Sequence, residues 1–310
     1  MHIIITEFMD EEAVRELGRK FDVRYEPDLV DRRAELIAAM PTADALIVRN
    51  RTQVDSALLH GADRLKVVGR LGVGLDNIDV ELCAARGIEV IPATGANARA
   101  VAEYVIASSL MLLRGAFGAS DQVAAGKWPR NAYSNGLEAQ ARTMGVVGFG
   151  GIGRMVAGLA AGLGMRVVGH DPMLAADHPA WRESGVECLG MDALLATADV
   201  VTLHVPLTPQ TRNLIDENRI GRMKDGAVLI NTARGGIVDE AALSHALQRG
   251  KLRGAAIDVF VDEPLKEGVL AGVPNLILTP HIAGLTQEAN VRVSNIVAER
   301  VAAALAAASH

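Results

Sequence analysis

Cysteine is nearly absent: Cys83 and Cys188 are the only two, with no CxxC and no neighbouring pair of histidines. That scarcity excludes a disulfide framework and a structural zinc site, so no metal is expected. Basic charge is not in excess either. Lys and Arg number 31 against 37 Asp and Glu, a net charge of -6, which argues against a protein that coats nucleic acid or lies on a membrane surface. No long apolar run occurs. The longest, around Val105 to Leu113, contains Ser108 and Ser109 and ends at Arg114, short of the roughly 20 residues a membrane span needs. The opening Met1-His2-Ile3-Ile4-Ile5-Thr6-Glu7 lacks the basic n-region of a signal peptide. A soluble protein of the reducing cytoplasm is therefore expected, and no internal repeat or low-complexity linker is visible.

What is present is a core: 50% of the 310 residues are hydrophobic, and that length favours two domains of ordinary size. Short apolar runs alternate with segments of helical period along the whole chain, the sign of an α/β protein with parallel sheets. Strands are expected at His2 to Thr6, Ala45 to Val48, Lys66 to Gly69 and Glu89 to Ile91, with helices at Glu11 to Lys20, Arg32 to Met40 and Asp55 to His60. Ala102 to Leu113 is apolar all round and is expected to be a helix buried between two bodies. A second series begins at Thr143, with six strands at Met144 to Gly148, Arg166 to His170, Val200 to His204, Ala227 to Asn231, Gly254 to Asp258 and Asn275 to Leu278. Six strands with helical crossovers match one doubly wound nucleotide domain. Gln287 to Ala307 returns to helical period and is expected to pack back on the first domain. The predicted division is 1-98 with 285-310 for one domain and 99-284 for the other.

Gly148-Phe149-Gly150-Gly151-Ile152-Gly153 follows the apolar run Met144 to Val147 and precedes Val156, Leu159, Ala160 and Leu163, which share a helical face with Ile152. In such a strand, glycine turn and helix, Gly148 permits the tight turn, Gly150 lets the backbone approach a pyrophosphate, and Gly153 allows close packing of helix on strand. Asp171 stands 23 positions after Gly148, at the end of the next apolar strand, where a carboxylate holds the ribose hydroxyls of NAD and repels a 2′-phosphate. A methyltransferase uses a related turn, so the choice between the two rests on what lies downstream.

Three polar residues fall at the carboxyl ends of late strands, where ligands of doubly wound sheets bind: Arg234 in Asn231-Thr232-Ala233-Arg234-Gly235-Gly236, Glu263 in Asp262-Glu263-Pro264, and His281 in Pro280-His281-Ile282-Ala283-Gly284. With them come Arg70-Leu71-Gly72-Val73-Gly74-Leu75-Asp76-Asn77-Ile78-Asp79, Ala102-Glu103, His204-Val205-Pro206-Leu207-Thr208 and Asp258-Val259-Phe260. In this order, over nearly the whole chain, the sequence resembles the D-isomer-specific 2-hydroxyacid dehydrogenase family, which includes phosphoglycerate dehydrogenases. The resemblance implies a flavodoxin-like substrate domain, a Rossmann-type NAD domain inserted in it, and an active site in the cleft between them.

It also implies roles. His281 is the base that takes the hydroxyl proton, since histidine titrates closest to working pH, and Glu263 fixes its tautomer. Formate dehydrogenases of the family carry Gln at the Glu263 position, which argues against formate. Arg234 offers a two-pronged donor to the substrate, and the Gly72-Val73-Gly74 turn aims backbone N–H groups at the same carboxylate. Asp258 accepts from the nicotinamide carboxamide. His204, Pro206, Thr211, Thr232, Ala233 and Gly284 line the cofactor with Gly151 and Ile152. His204 has an alternative reading as a strand-ending cap, and Cys83 and Cys188 read as small core or helix residues.

Arg49 and Arg51, in Val48-Arg49-Asn50-Arg51-Thr52, resemble the loop of phosphoglycerate dehydrogenases that faces a second anionic group, and Arg99 and Arg130 are candidates for the same rim. Thr6-Glu7-Phe8-Met9-Asp10-Glu11 and Arg49 to Val54 also resemble the sulfolactate dehydrogenases of the family. A doubly anionic 2-hydroxy acid is expected, sulfolactate ahead of 3-phosphoglycerate. The alternatives are a D-lactate or glyoxylate enzyme and a non-catalytic NAD-sensing protein of the same fold. The chain ends at His310 without an effector-binding extension, so feedback by serine is not expected. A homodimer formed near Ala102 to Leu113 is expected.

Overall fold

A computed structural model describes residues 1–308; Ser309 and His310, at the end of the expected second segment of the first domain, lie outside the described residues. The chain forms two compact units, Met1–Asn97 together with the chain from Leu285, and Ala98–Gly284.

The first unit holds β1 (His2–Ile5), β2 (Asp22–Tyr25), β3 (Ala45–Val48), β4 (Val67–Arg70) and β5 (Glu89–Pro92). They make an all-parallel sheet in the order β2-β1-β3-β4-β5, the flavodoxin-like order. The sequence reading misses β2. Asp-Val-Arg-Tyr is a polar edge strand without a fully buried residue, and its Arg24 is tied to Glu26 and Glu35, so no apolar run betrays it. Helix Gln287–Ala307, capped by the Thr286 side chain, closes one face of this sheet. It comes so near β4 that a Cβ on Gly69 would stand 2.8 Å from both Val297 and Val301.

The second unit contains β6 (Thr143–Val147), β7 (Arg166–His170), β8 (Glu187–Cys188), β9 (Val200–Leu203), β10 (Ala227–Asn231), β11 (Leu252–Ile257) and β12 (Leu276–Leu278). The order is β12-β11-β10-β9-β6-β7-β8, all parallel, with the winding reversing between β6 and β9. Seven strands replace the six expected, because the two-residue edge strand β8 is too short to leave a periodic signal. The helix near Ala102 to Leu113 is also longer, Ala98–Arg114. It is not buried all round. One face, with Ala102, Val105, Leu112 and Leu113, packs within this unit, while Leu110 and Met111 are exposed. Among the described residues no single helix is long and apolar enough to cross a membrane, although this helix and the segment Ala116–Ala124, bent by 63°, pass jointly by length and composition.

Candidate active site

Arg234, Glu263 and His281 follow β10, β11 and β12 in the second unit. His281 Nδ1 lies 2.8 Å from Glu263 Oε2, and Glu263 Oε1 accepts the Phe260 N–H at 3.1 Å. One carboxylate oxygen is thus fixed by backbone and the other by the imidazole. Both side chains remain reachable, at 42% and 35% exposure. His281 has φ 56, a left-handed conformation that costs a non-glycine residue about 1–3 kcal/mol.

Asp258 holds the chain there. Its backbone C=O accepts the His281 N–H at 2.9 Å. Its side-chain Oδ1 accepts the Thr279 hydroxyl at 2.6 Å and the Ile282 N–H at 2.8 Å, and Oδ2 accepts the Ala283 N–H at 2.8 Å. Tyr104, on helix Ala98–Arg114, reaches Thr279 Oγ1 at 2.6 Å and extends the chain of bonds. A carboxylate as buried as Asp258 needs such donors. The sequence reading gives Asp258 only a cofactor contact, and shaping the His281 loop is a further task.

The Arg234 turn is braced by Asn231, which the sequence reading quotes without giving it a role. Asn231 Nδ2 donates to the Arg234 C=O at 2.9 Å and Oδ1 accepts the Ala233 N–H at 3.0 Å. The Arg234 guanidinium donates to the Ala233 C=O at 2.5 Å. A Cβ on Gly235 would stand 1.7 Å from the Phe260 C=O, so this turn and the segment leading to Glu263 are packed backbone to backbone.

The glycine turn divides by function. Gly148 has φ 92, and a Cβ there would stand 2.4 Å from the His204 C=O; at Gly153 it would stand 2.1 Å from the Gly148 C=O. At Gly150 and Gly151 a Cβ would meet nothing within 4 Å. The outer glycines are required by packing, whereas the middle ones border open space at the N-terminus of helix Gly151–Gly162, where amides attract phosphate. Asp171, at the end of β7, accepts the Phe149 N–H at 2.8 Å and the Met173 N–H at 2.9 Å, which fixes its carboxylate beside the turn. Thr232 Oγ1 is a buried hydroxyl with no hydrogen-bond partner, a group that a bound molecule can satisfy. These features fit a dinucleotide.

The remaining expected cofactor residues divide further. His204 is half-buried, with Nε2 3.0 Å from Thr202 Oγ1, and burial pushes its imidazole down to about 4. The Thr211 hydroxyl is used within its own turn, donating to the Pro206 C=O at 2.6 Å and accepting the Thr208 N–H at 2.7 Å. Ala233 is buried beside the Arg234 turn, Ile152 is partly buried, and Gly284 ends the unit. Arg99 is held by Glu103, and Arg130 lies in a short turn.

In the first unit the winding reverses between β1 and β3, and Arg49 to Thr52 follow β3 at that point. Arg49 is half-buried. Its Nη2 donates to Asn290 Oδ1 at 2.6 Å, its Nη1 to the Phe8 C=O at 3.4 Å, and the guanidinium carbon lies 5.7 Å from the centre of the Phe8 ring. Burial lowers the basicity of the guanidinium, and the charge of Glu7 opposes that. Arg51 instead pairs with Asp31 at the surface. After β4, Gly72 has φ 155, and among the described residues the N–H groups of Val73 and Gly74 have no backbone acceptor. Glu7 and Asn77, both within quoted motifs, tie the Arg49 loop through hydrogen bonds that no sequence pattern announces.

Comparison with known proteins bears on the whole chain. The family model for the NAD-binding domain of D-isomer-specific 2-hydroxyacid dehydrogenases matches residues 106–283. A protein of Chromohalobacter salexigens named (S)-sulfolactate dehydrogenase is 51% identical over 98% of this chain and 98% of its own. A D-3-phosphoglycerate dehydrogenase of Mycobacterium leprae is 40% identical over 98% of this chain, which spans only 57% of that protein's length. Among solved structures, D-lactate dehydrogenase from Aquifex aeolicus, complexed with NAD and lactic acid, superposes with a TM-score of 0.83 at 32% identity, covering 98% of this chain and 96% of that one. The chain with this glycine turn, Asp171 at its side and an imidazole paired with a carboxylate thus belongs to the D-isomer-specific 2-hydroxyacid dehydrogenase family and is an NAD-dependent oxidoreductase of 2-hydroxy acids.

Proposed function

We propose that the enzyme interconverts a doubly anionic D-2-hydroxy acid and its 2-oxo acid, with sulfolactate ranked ahead of 3-phosphoglycerate. The observation that carries this reading is Arg49, a half-buried cation whose partners are an amide oxygen, a carbonyl and an aromatic ring, all uncharged. The charge of Glu7 offsets the desolvation of this cation only in part, and a second charged end on the substrate supplies a direct anionic partner. The names of the relatives at 51% and 40% identity support both acids. The S label of sulfolactate agrees with the D hand, because sulfur changes the naming priority without moving an atom.

In this reading His281 Nε2 takes the hydroxyl proton while Glu263 stabilises the imidazolium that forms. Arg234 receives the substrate carboxylate and the reacting oxygen, and the Gly72 to Gly74 amides share the carboxylate. NAD, when bound, supplies the hydride acceptor. Gly148 to Gly153 hold its pyrophosphate, Asp171 its ribose and Asp258 its carboxamide, with His204, Pro206, Thr211, Thr232, Ala233 and Gly284 along it. The first unit serves the substrate and the second the cofactor. The enzyme acts as a homodimer in the cytoplasm without nucleic-acid or membrane partners.

A second reading, a D-lactate or glyoxylate enzyme, is favoured by the Arg49 bond to Asn290, which gives the guanidinium a purely structural use. The two part in a panel of hydroxy acids with NAD, followed by NADH absorbance. The first requires kcat/KM for sulfolactate or 3-phosphoglycerate to exceed that for D-lactate by about tenfold or more. Equal or reversed preference overturns it.

A further inference from the structure

We propose that Glu7 is the positioning residue that makes the Arg49 loop selective for a second anion, an inference that rests on the reading of Arg49 given above. Glu7 is 4% exposed and follows β1, as the Arg49 loop follows β3, so the two meet where the winding of the sheet reverses. Four consecutive amides converge on its carboxylate: Oε1 accepts the N–H of Arg49 at 2.9 Å and of Thr52 at 3.0 Å, and Oε2 accepts that of Arg51 at 3.1 Å and of Asn50 at 3.4 Å. Successive N–H groups turned to one point form an anion-binding concavity. Here its occupant is the chain's own carboxylate.

Two consequences follow from the geometry. Backbone dipoles occupy the Glu7 oxygens, so its carboxylate does not capture the Arg49 guanidinium, whose Nη2 goes to Asn290 instead. The loop is also tied on its other side: Asn77 Nδ2 donates to the Thr52 C=O at 2.7 Å and to the Arg49 C=O at 3.3 Å, and the Thr6 and Thr52 hydroxyls lie 2.8 Å apart. With N–H groups held by Glu7 and C=O groups by Asn77, the loop presents Arg49 in one position, and no ordering cost falls on substrate binding.

Glu7→Gln keeps the shape but replaces an acceptor oxygen with an NH2 that faces N–H donors. The expected result with NAD and sulfolactate is a KM raised about tenfold with kcat changed less than about threefold, so that selectivity for sulfolactate over D-lactate falls about tenfold. In an Arg49→Ala background the same substitution should add little, because Glu7 acts through Arg49. A full, additive effect there indicates general damage and overturns the proposal. Wild-type KM in Glu7→Gln alongside a raised KM in Arg49→Ala overturns the role of Glu7 alone, whereas wild-type KM in Arg49→Ala overturns the substrate reading and this inference with it. Hydrogen exchange of the wild-type enzyme is independent of how the variants fold: the 49–52 amides should be protected, and exchange at the rate of open peptide amides refutes their convergence on Glu7.

Discussion

Arg49 and Arg51 stand two positions apart in one loop, and what separates them is their partners. Arg51 and Asp31 form a surface pair, each side chain 58% exposed, of a kind worth at most about 1 kcal/mol. Arg49 is half-buried and its direct partners are uncharged, so a substrate anion there gains a charge-assisted bond worth about 1.5–3 kcal/mol. Arg49→Ala should therefore raise KM for sulfolactate about tenfold to a hundredfold, and Arg51→Ala by less than about threefold. Steady-state kinetics of the two variants check this; equal effects would mean that position in the loop, not partnership, decides. The His281 and Glu263 pair allows a second test. Removing the base in His281→Ala should lower kcat by about a hundredfold or more, and Glu263→Gln, which can still accept from Nδ1 but carries no charge, by less. NAD affinity, read by fluorescence titration, should hold in Glu263→Gln; undiminished turnover in His281→Ala removes the assigned base.

At the scale of elements, one helix carries a controlled comparison. In helix Gly151–Gly162 a Cβ on Gly153 would stand 2.1 Å from the Gly148 C=O, whereas at exposed Gly158 it would meet nothing within 4 Å. Gly153→Ala should displace the helix from β6 and weaken both stability and NAD binding, while Gly158→Ala should stabilise by about 0.5–1 kcal/mol, the ordinary helical gain of alanine over glycine. Thermal unfolding of both variants checks the contrast, and similar behaviour would break it. This helix also marks what the sequence makes legible. Its strand, turn and apolar face are local patterns, as are the buried strands β3, β6, β9 and β10, and all could be read. Edge strands β2 and β8 could not, since their residues answer to pairing and not to burial. Of the site, Arg234, Glu263 and His281 were legible through strand ends and resemblance. Their supports were less so: the Glu7 grip on the 49–52 amides joins positions more than 40 apart, and only folding brings them together.

At the scale of the molecule, stability should depend on pH through His204. Its imidazole falls from the usual 6.5 to about 4 on burial, so below pH 6.5 the unfolded chain takes up a proton that the folded chain refuses. Stability is then lost as pH falls from 6.5 toward 4, by about 2 kcal/mol at pH 5. Denaturant midpoints should show this slope in the wild type and lose most of it in His204→Gln; identical slopes would locate the dependence elsewhere. Assembly is the other property of the whole. Between positions 110 and 128 the second unit exposes Leu110, Met111, Phe117, Val123 and Trp128, the last at 79%. Apolar side chains in such number are costly in water, at about 25 cal/mol per Å². Much of helix Ala98–Arg114 is already committed to its own unit, which leaves the exposed residues free to meet a second copy of the chain. Light scattering at micromolar concentration should give twice the 32.7 kDa of one chain. A large aromatic at an interface commonly contributes about 2 kcal/mol or more, so Trp128→Glu should shift the mass toward the monomer. Met173, equally apolar and exposed but outside the stretch, provides the control, and Met173→Glu should leave the mass unchanged. A monomeric wild type, or a dimer indifferent to Trp128→Glu, would remove this surface from the assembly.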